Sequence, residues 1–323
     1  MAARAPRSSL PNEPLTPDSA CIFSVVVPFL NEERLLPACL SALEQQTLDP
    51  SRFELIFVDN GSTDRSREIV SNCADAILLR EPQQDPYLAR NHGIAAAKSR
   101  YIAFLDADCI PDRDWLEALW TEIQQSDAAI VIGYIAYPSS ASLFVRCYEE
   151  YYDYKLKHLT RRKLAENFFG HAGNMVVRAD VFDELGPFLP MPVVGDTEII
   201  HRLLAYNPGA VIRYAERARV IHGEVETLRG CLAKLYECGG YTETLSRISS
   251  YRAIPLIEKW RIAAGCLRER KYGPRSVIAL LFTLALGWLT YLGGRIKRFL
   301  QSWRTPRASR TPVVPGRKHG EQP

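Results

Sequence analysis

The chain has 323 residues, of which 47% are hydrophobic and 24% are charged, and its formal net charge is +3. This apolar content is enough for one large α/β domain with appended segments, and it excludes a mainly disordered chain. Eight cysteines without a C-x-x-C pair are typical of reduced thiols in an intracellular protein and exclude a secreted disulfide scaffold. Residues 1–20 lack an apolar h-region, so we expect a disordered tail without a signal peptide.

The first part of the chain alternates short apolar runs with helical patterns. The runs predicted to be strands are 23–27, 55–58, 76–79 and 101–105. The helical patterns are 35–46, a segment ending near 72, 88–97 and 115–124. Strands that alternate with helices predict an α/β fold with a Rossmann-like, doubly wound and mostly parallel sheet.

Polar segments follow three of these predicted strands, at Asn31, at Asp59 and at Asp106-Ala107-Asp108. Ligands of open α/β sheets bind beyond the carboxyl ends of the strands, so we expect these segments to meet at one edge. Two carboxylates directly after a buried strand predict a rigid cation site there. A second Asp-x-Asp at 112–114 opens a helical pattern, where acidic residues complement the helix N-terminus and need no other role.

Four motifs, in this order and spacing, resemble the nucleotide-binding half of glycosyltransferase family 2. They are Val-Val-Pro-Phe-Leu-Asn-Glu-Glu at 26–33, Val-Asp-Asn-Gly-Ser-Thr-Asp at 58–64, Ala-Arg-Asn-His-Gly-Ile at 89–94, and Asp-Ala-Asp at 106–108. The similarity continues more weakly through 173–178, 195–198 and His222, and covers roughly residues 22–225. The resemblance implies the A-type glycosyltransferase fold and transfer of a sugar from a nucleotide-sugar with inversion at the anomeric carbon.

A nucleoside diphosphate leaving group gains negative charge as its bond to the sugar breaks, so the site needs a divalent cation such as Mn²⁺ or Mg²⁺. The resemblance places this metal on Asp108 and His222, with Asp106 facing the ribose or reaching the metal through water. Asp59 suits a nucleobase N–H, which only an acceptor can bind. The residues expected around the nucleotide-sugar are Pro28, Asn31, Glu32, Asp59, Arg90, Asp106 and Ala107.

Simpler roles stay open for three of these residues. Asp59 also fits a helix N-cap or a turn, and Arg90 also fits a solvated surface arginine. Without the resemblance, a lone histidine such as His222 is more often structural.

Asp196 is the candidate general base, because an inverting transfer needs a carboxylate opposite the leaving group to take the proton of the acceptor hydroxyl. The family usually has Glu-Asp here, whereas this chain has Gly195-Asp196, so Glu198 is the alternative base. Both acids also fit an ordinary helix start. Phe29 replaces the small hydroxyl residue common in the family's first motif, which puts one nucleobase contact in doubt.

The charge of the chain is unevenly distributed. Residues 246–323 hold 16 Lys and Arg against 3 Asp and Glu, a net +13, whereas residues 1–245 hold 24 against 34, a net −10. Within the basic part, 276–294 is uncharged and mostly apolar, at the lower edge of the roughly 20 residues that span a bilayer as a helix. A single span, a monotopic or re-entrant helix on anionic lipid, and a buried core helix all stay open.

These features together predict a catalytic domain followed by a membrane-associated helical segment. The predicted regions are a disordered tail at 1–20, a catalytic domain at 21–245, a helical basic segment at 246–300 with its membrane helix at 276–294, and a disordered basic tail at 301–323. The catalytic domain divides into a nucleotide-sugar-binding half, 21–125, and an acceptor half, 126–245. Residues 142–164 predict an amphipathic helix that borders the acceptor site or only packs.

The predicted protein is an inverting, metal-dependent glycosyltransferase of the cell membrane, with its catalytic domain on the cytoplasmic side. Its expected partners are a nucleotide-sugar donor, a glycan or lipid-linked acceptor and membrane lipids, but no nucleic acid. One alternative is a catalytically inactive nucleotide-sugar-binding scaffold. A nucleotidyltransferase is less favoured, because it needs a glycine-rich basic loop after the first strand, and 28–33 is neither glycine-rich nor basic.

Overall fold

The computed structural model describes residues 21–191, 193–224 and 227–304. The predicted tail at 1–20 and most of the one at 301–323 lie outside the described residues. Residues 301–304 belong to a helix that runs from Pro274 to Arg304, so the second predicted tail begins too early. The prediction took the end of the uncharged run 276–294 as a guide to the end of the helix. The helix instead continues through the basic residues that follow this run.

The described residues form one sheet of eight strands in the order β3-β2-β1-β4-β7-β6-β8-β5. The strands are β1 (Phe23–Phe29), β2 (Phe53–Asp59), β3 (Ala76–Arg80), β4 (Tyr101–Leu105), β5 (Cys109–Pro111), β6 (Ile130–Ala136), β7 (Asn174–Arg178) and β8 (Ile212–His222). Strands β3, β2, β1 and β4 are mutually parallel, as predicted. The pairs β4–β7, β6–β7 and β5–β8 are antiparallel, so the second half of the sheet is mixed.

The helices cover both faces of this sheet. They are α1 (Leu36–Glu44), α2 (Ser66–Ser71), α3 (Pro86–Ala96), α4 (Trp115–Ser126), α5 (Leu143–Arg161), α6 (Ala179–Leu185), α7 (Gly195–Tyr206), α8 (Leu228–Ile248), α9 (Leu256–Arg270) and α10 (Pro274–Arg304). Val25 and Val27 pack in one core cluster with α1 and α4, while Val26 packs in another with α3, α5 and α7. This alternation along β1 confirms the doubly wound prediction.

The C-terminal helices pack on the catalytic body instead of standing apart from it. Helix α10 contacts α8 and α5, and a Cβ added to Gly239 or Gly294 would collide with backbone of the opposite helix, so α8 and α10 lie unusually close. Asp153 on α5 is buried, and its carboxylate accepts from Lys157 at 2.8 Å and from Arg270 on α9 at 2.5 Å. These contacts fix the helices relative to one another.

Helix α10 is apolar enough to cross a membrane by length and composition. Its candidate span, 274–300, has a mean hydropathy of 1.8, but only 28% of the window is buried. Large side chains such as Ile278, Phe282 and Leu289 are exposed on it. A buried core helix would hide such residues, so α10 instead presents an apolar surface, which is weak evidence for membrane association.

Candidate active site

A cavity of about 570 Å³ opens at the carboxyl ends of β1, β2 and β4. Asp106, Ala107 and Asp108 line it directly after β4, and Pro28 and Glu32 line it after β1. On the opposite side it is closed by residues of the β7 and α7 loops, among them Asp196. Residues that follow β1, β2 and β4 therefore line one cavity at the carboxyl ends of the strands, although not every predicted residue does.

Arg90 and Asp106 form an ion pair in this cavity. Arg90 lies on α3, whose N-terminus is set by Asp85, because the Asp85 carboxylate accepts from the Tyr87 and Leu88 N–H groups. The Arg90 side chain is 7% exposed, and its Nη2 donates to Asp106 Oδ1 at 2.5 Å. Burial alone would raise the pKa of Asp106, but the Arg90 guanidinium and, to a smaller extent, His171 and His222 together lower that pKa below its usual value. Asp106 is therefore a fixed carboxylate.

Asp108 and His222 meet because β5 pairs with β8 in a register that sets Cys109 opposite His222. The distance from His222 Nδ1 to Asp108 Oδ2 is 3.3 Å, and both residues are buried. His222 Nδ1 has no hydrogen-bond partner among the described residues. With Cys109, they make the one cluster in the described part of the chain whose ligand atoms all lie within 4.8 Å.

The protonation states of His222 and Asp108 favour binding of a cation between them over an ion pair with each other. Burial, helped by nearby Lys234 and His171, lowers the pKa of His222 to about 3, so its imidazole is neutral. Burial, and then the Asp106 carboxylate, raises the pKa of Asp108 to about 7. A neutral imidazole nitrogen without a partner, beside a carboxylate, fits a hard or borderline divalent ion. Cys109 fits such an ion less well, because burial raises its thiol pKa.

Two of the predicted nucleotide contacts, Asn31 and Asp59, do not line the cavity. The Asp59 carboxylate accepts from the Gly61 and Ser62 N–H groups and pairs with Arg67 at 3.3 Å, the turn geometry that the sequence left open. Asn31 has a left-handed backbone, and its side chain accepts from the Thr63 N–H. Asn31 thus connects the loop after β1 to the loop after β2, and Asp59 stabilises the turn within the loop after β2.

The two candidate bases point in different directions. Asp196 lines the cavity, where its carboxylate accepts from the Ala172 N–H at 3.0 Å and from the Thr197 N–H at 2.7 Å. Glu198 is 3% exposed and does not line the cavity. Instead, its Oε2 lies 3.0 Å from Nη2 of Arg202. The structure therefore brings Asp196, and not Glu198, to the cavity.

Sequence reasoning missed several residues that the structure brings to this site. His171 lines the cavity, and Lys234 on α8 lies 2.6 Å from His222 Nε2. On the far side, Tyr148 and Lys155 of α5 and Tyr291 of α10 line the wall. The amphipathic pattern of 142–164 pointed to α5, but no sequence signal singled out Lys234 or Tyr291.

Comparison with known proteins identifies the family. The family model described as "Glycosyl transferase family 2" matches residues 24–186. The chain belongs to glycosyltransferase family 2. The match ends before Asp196 and His222, so it covers the donor side of the cavity.

Curated relatives carry the same activity in their names. Glycosyltransferase AglE of Haloferax volcanii is 34% identical over 173 residues, which cover 51% of this chain and 55% of AglE. Glycosyltransferase GlyG of Streptococcus pneumoniae is 36% identical over 129 residues, 38% of this chain and 42% of GlyG. The chain thus spans about half the length of these two relatives. A PGL/p-HBAD biosynthesis glycosyltransferase of Mycobacterium tuberculosis is 24% identical over 278 residues, 84% of this chain and 98% of its own.

Solved structures share the fold. The mannosyltransferase PcManGT from Pyrobaculum calidifontis, in complex with GDP-Man and Mn²⁺, has a TM-score of 0.56 at 16% identity and covers 89% of this chain and 86% of its own. S. aureus TarS 1-349, in complex with UDP-GlcNAc, has a TM-score of 0.50 at 14% identity and covers 87% of this chain and 92% of its own. Both are A-type glycosyltransferases, as the resemblance predicted.

Proposed function

We propose that the protein transfers a sugar, with inversion, from a metal-bound nucleotide-sugar to an acceptor hydroxyl in cell-envelope, polysaccharide or glycolipid synthesis. The observation that carries this proposal is that Asp106, Asp108 and His222 line or border the same cavity as Asp196. Donor and acceptor chemistry can therefore occur in one space.

In this proposal, Asp108 and His222 hold a Mn²⁺ or Mg²⁺ ion, with Asp106 fixed by Arg90 beside the ribose. The ion supplies positive charge to the departing diphosphate. Pro28, Glu32 and Ala107 border the nucleotide, while Asn31 and Asp59 shape the loops of the nucleobase side. The PcManGT complex with GDP-Man and Mn²⁺ supports this assignment at the level of the fold.

Asp196 acts as the general base on the acceptor. Its two oxygens accept backbone N–H groups that hold the carboxylate toward the cavity, so its orientation is set before the acceptor arrives. The Glu198 carboxylate pairs with Arg202 away from the cavity, which favours Asp196 over the alternative.

The catalytic domain lies on the cytoplasmic side of a membrane, with α10 at the lipid surface. Because α10 packs against α5 and α8, a complete span would carry polar parts of those helices into the bilayer. An interfacial position of the exposed α10 face, flanked by basic residues, fits these contacts better.

Turnover distinguishes this proposal from an inactive nucleotide-sugar-binding scaffold. The full chain should be incubated with a panel of nucleotide-sugars and Mn²⁺, measuring thermal stabilisation and slow donor hydrolysis. At least one donor should raise the melting temperature only with metal and release free sugar. Stabilisation without hydrolysis or transfer would support the scaffold. In a separate incubation with a nucleoside triphosphate and a sugar phosphate, release of pyrophosphate would support a nucleotidyltransferase.

A further inference from the structure

A second cavity, of about 450 Å³, adjoins the active-site cavity beneath the C-terminal helices. It is bounded by α5, α8, α9, α10 and the segment between α8 and α9. The side chains that line both cavities are Tyr148, Lys155, Leu235, Tyr251 and Tyr291. The two cavities therefore adjoin along these five side chains, with the helical side of the active site on one side and the surface between α9 and α10 on the other. We call this second cavity the helical groove.

The lining of the helical groove is apolar and aromatic, with two exceptions that carry charge. Tyr151, Ala263 and Leu284 are among the side chains that form its walls. The charged residues are Lys155 and Lys259, and no carboxylate lines the groove among the described residues. Apolar walls with a small number of cationic groups favour a ligand that is mostly hydrocarbon and carries negative charge at one position.

The helical groove opens toward the exposed apolar surface of α9 and α10. Leu256, Trp260, Leu281 and Trp288 line it and are still 68%, 62%, 40% and 51% exposed. Large apolar side chains exposed together mark a contact with lipid or another apolar partner. A hydrocarbon chain could thus enter from a bilayer without crossing water.

Lys155 lies where the two cavities meet. Its Nζ is 3.9 Å from the centre of the Phe169 ring and 5.3 Å from that of Tyr152. Phe169 precedes Gly170, whose N–H donates to the Thr197 hydroxyl next to Asp196. In the described part of the chain, no carboxylate forms an ion pair with Lys155. A partly buried ammonium without a counter-ion is destabilising, so an anion at this position would be favoured.

We propose that the acceptor is an amphiphile whose hydrocarbon chain occupies the helical groove, with an anionic phosphate beside Lys155 and Lys259 and its reactive hydroxyl near Asp196. This inference rests on the proposed glycosyl transfer and names the class of acceptor. The hydrocarbon supplies affinity through apolar burial. The phosphate sets how deep the chain enters, and so positions the hydroxyl.

Binding can be measured with dodecyl phosphate that carries a terminal bromine, which quenches the fluorescence of Trp260 and Trp288. The full chain is used in an amphipathic polymer without nucleotide-sugar, and the comparison probe is the brominated dodecyl alcohol. A charge-assisted contact contributes about 1.5–3 kcal/mol, so the phosphate should quench at a concentration at least about tenfold lower than the alcohol. Inorganic phosphate at the same concentrations should not displace it.

Matched variants separate the groove from simple adsorption to the exposed helices. Ala285→Phe fills the groove at an exposed lining position, whereas Ile278→Phe enlarges a side chain on the same helix outside it. We expect Ala285→Phe to weaken both probes at least about tenfold and Ile278→Phe to weaken neither. Ala253→Phe, at another exposed lining position, provides the same block should Ala285→Phe not fold.

The phosphate position is tested by Lys155→Gln against Lys98→Gln, a change at an exposed lysine outside both cavities. Lys155→Gln should reduce the preference for the phosphate, leaving only the contribution of Lys259, and should leave alcohol binding unchanged. Equal quenching in the folded Ala285→Phe, Ala253→Phe and Ile278→Phe proteins would overturn the inference, as would an unchanged preference in Lys155→Gln. Because no donor is present, these results stand apart from donor hydrolysis, whose absence would overturn the proposed function alone.

Discussion

The donor side and the C-terminal helices contribute to one cavity in contrasting ways. On the donor side, Asp106 and Asp108 reach the cavity from a loop directly after β4, so a short stretch of sequence carries both position and chemistry. On the helical side, Lys155 and Tyr291 come from faces of α5 and α10 that no motif marks. Site residues in strand-end loops can be predicted from sequence, whereas site residues on helix faces can be identified only when the packing of the helices is known.

The two regions are also held together by different interactions. The donor side is a buried parallel sheet, whose strands are apolar on both faces. Helices α5, α9 and α10 share an apolar cluster, and α5 and α9 are also joined by polar contacts, including Asp153 with Arg270 and His158 Nε2 with Glu258 Oε1 at 2.5 Å. Buried charge pairs contribute little net stability, but breaking one is costly, so these pairs fix which face of α9 meets α5.

The largest expected effect is on the donor side, at Asp108. Asp108→Ala removes the carboxylate beside His222, so metal-dependent nucleotide binding and turnover should both be abolished. Asp114→Ala is the control, since Asp114 belongs to the other Asp-x-Asp and makes no side-chain cap hydrogen bond. Nucleotide binding with and without Mn²⁺, measured by calorimetry, checks the prediction. Equal losses in the two variants would refute the metal assignment.

Much of the donor side was predictable because its residues are close in sequence to their strands. The parallel order of β1 to β4 follows from alternation of strands and helices, and Arg90 and Asp106, both expected around the nucleotide-sugar, form an ion pair in the cavity. His222 is different, because its position beside Asp108 depends on antiparallel pairing of β5 with β8 across more than a hundred residues of chain. No local pattern encodes that register, and only the resemblance suggested it.

The next effect concerns the acceptor chemistry of Asp196. Asp196→Asn keeps the shape but removes the proton acceptor, so transfer should fall by roughly 10²-fold or more while nucleotide-sugar affinity hardly changes. Glu198→Gln should mainly lower the melting temperature, because it weakens the buried pair with Arg202. Donor affinity and transfer rate must be measured separately. Wild-type transfer by Asp196→Asn together with an inactive Glu198→Gln would move the base to Glu198.

Helix geometry explains why the sequence could not choose between these two acids. Residues two positions apart on an α-helix point about 200° apart, since each residue turns the helix by about 100°. On α7, Asp196 faces the cavity, and Glu198 therefore faces Arg202. The rotation of α7 about its axis is set by its packing against the sheet, and this packing cannot be predicted from residues 195–198 alone.

A smaller effect is expected on the helical side, at the exposed apolar face of α10. Phe282→Lys with Leu289→Lys places charge on this face without opening the core, whereas deleting α10 would uncover buried Leu280. Burying an apolar side chain contributes about 1.5–3 kcal/mol, so binding to anionic vesicles should weaken at least about tenfold despite the added positive charge. Tyr206→Lys, at an exposed residue of α7, is the control in a flotation assay. Unchanged flotation of the double variant would exclude α10 as the membrane contact.

The smallest expected effect is on thermal stability. It tests how much the charged Lys155 side chain, at the boundary between the two cavities, destabilises the folded protein. Burial, and then the neighbouring Lys259, lowers the pKa of Lys155 from its ordinary 10.5 to about 8, while Cys238 acts weakly in the other direction. Because the folded pKa is the lower one, the stability contributed by neutral Lys155 is present above pH 10.5. It is lost as the pH falls toward 8, where the folded protein must hold the ammonium partly out of water.

Lys155→Met should therefore melt at a higher temperature than the wild type at pH 7, and the difference should shrink as the pH rises past about 8 toward 10. For a chain of this size, each 1 kcal/mol corresponds to roughly 2–4 °C. Lys98→Met, at an exposed lysine, should show no such pH dependence. Dodecyl phosphate should raise the melting temperature of the wild type at pH 7 more than that of Lys155→Met, because the anion offsets the buried charge. If the difference in melting temperature between Lys155→Met and the wild type stays constant between pH 7 and 9.5, the charge of Lys155 is already neutralised within the protein. The helical side of the cavity would then offer no free cation to an anionic ligand at this position.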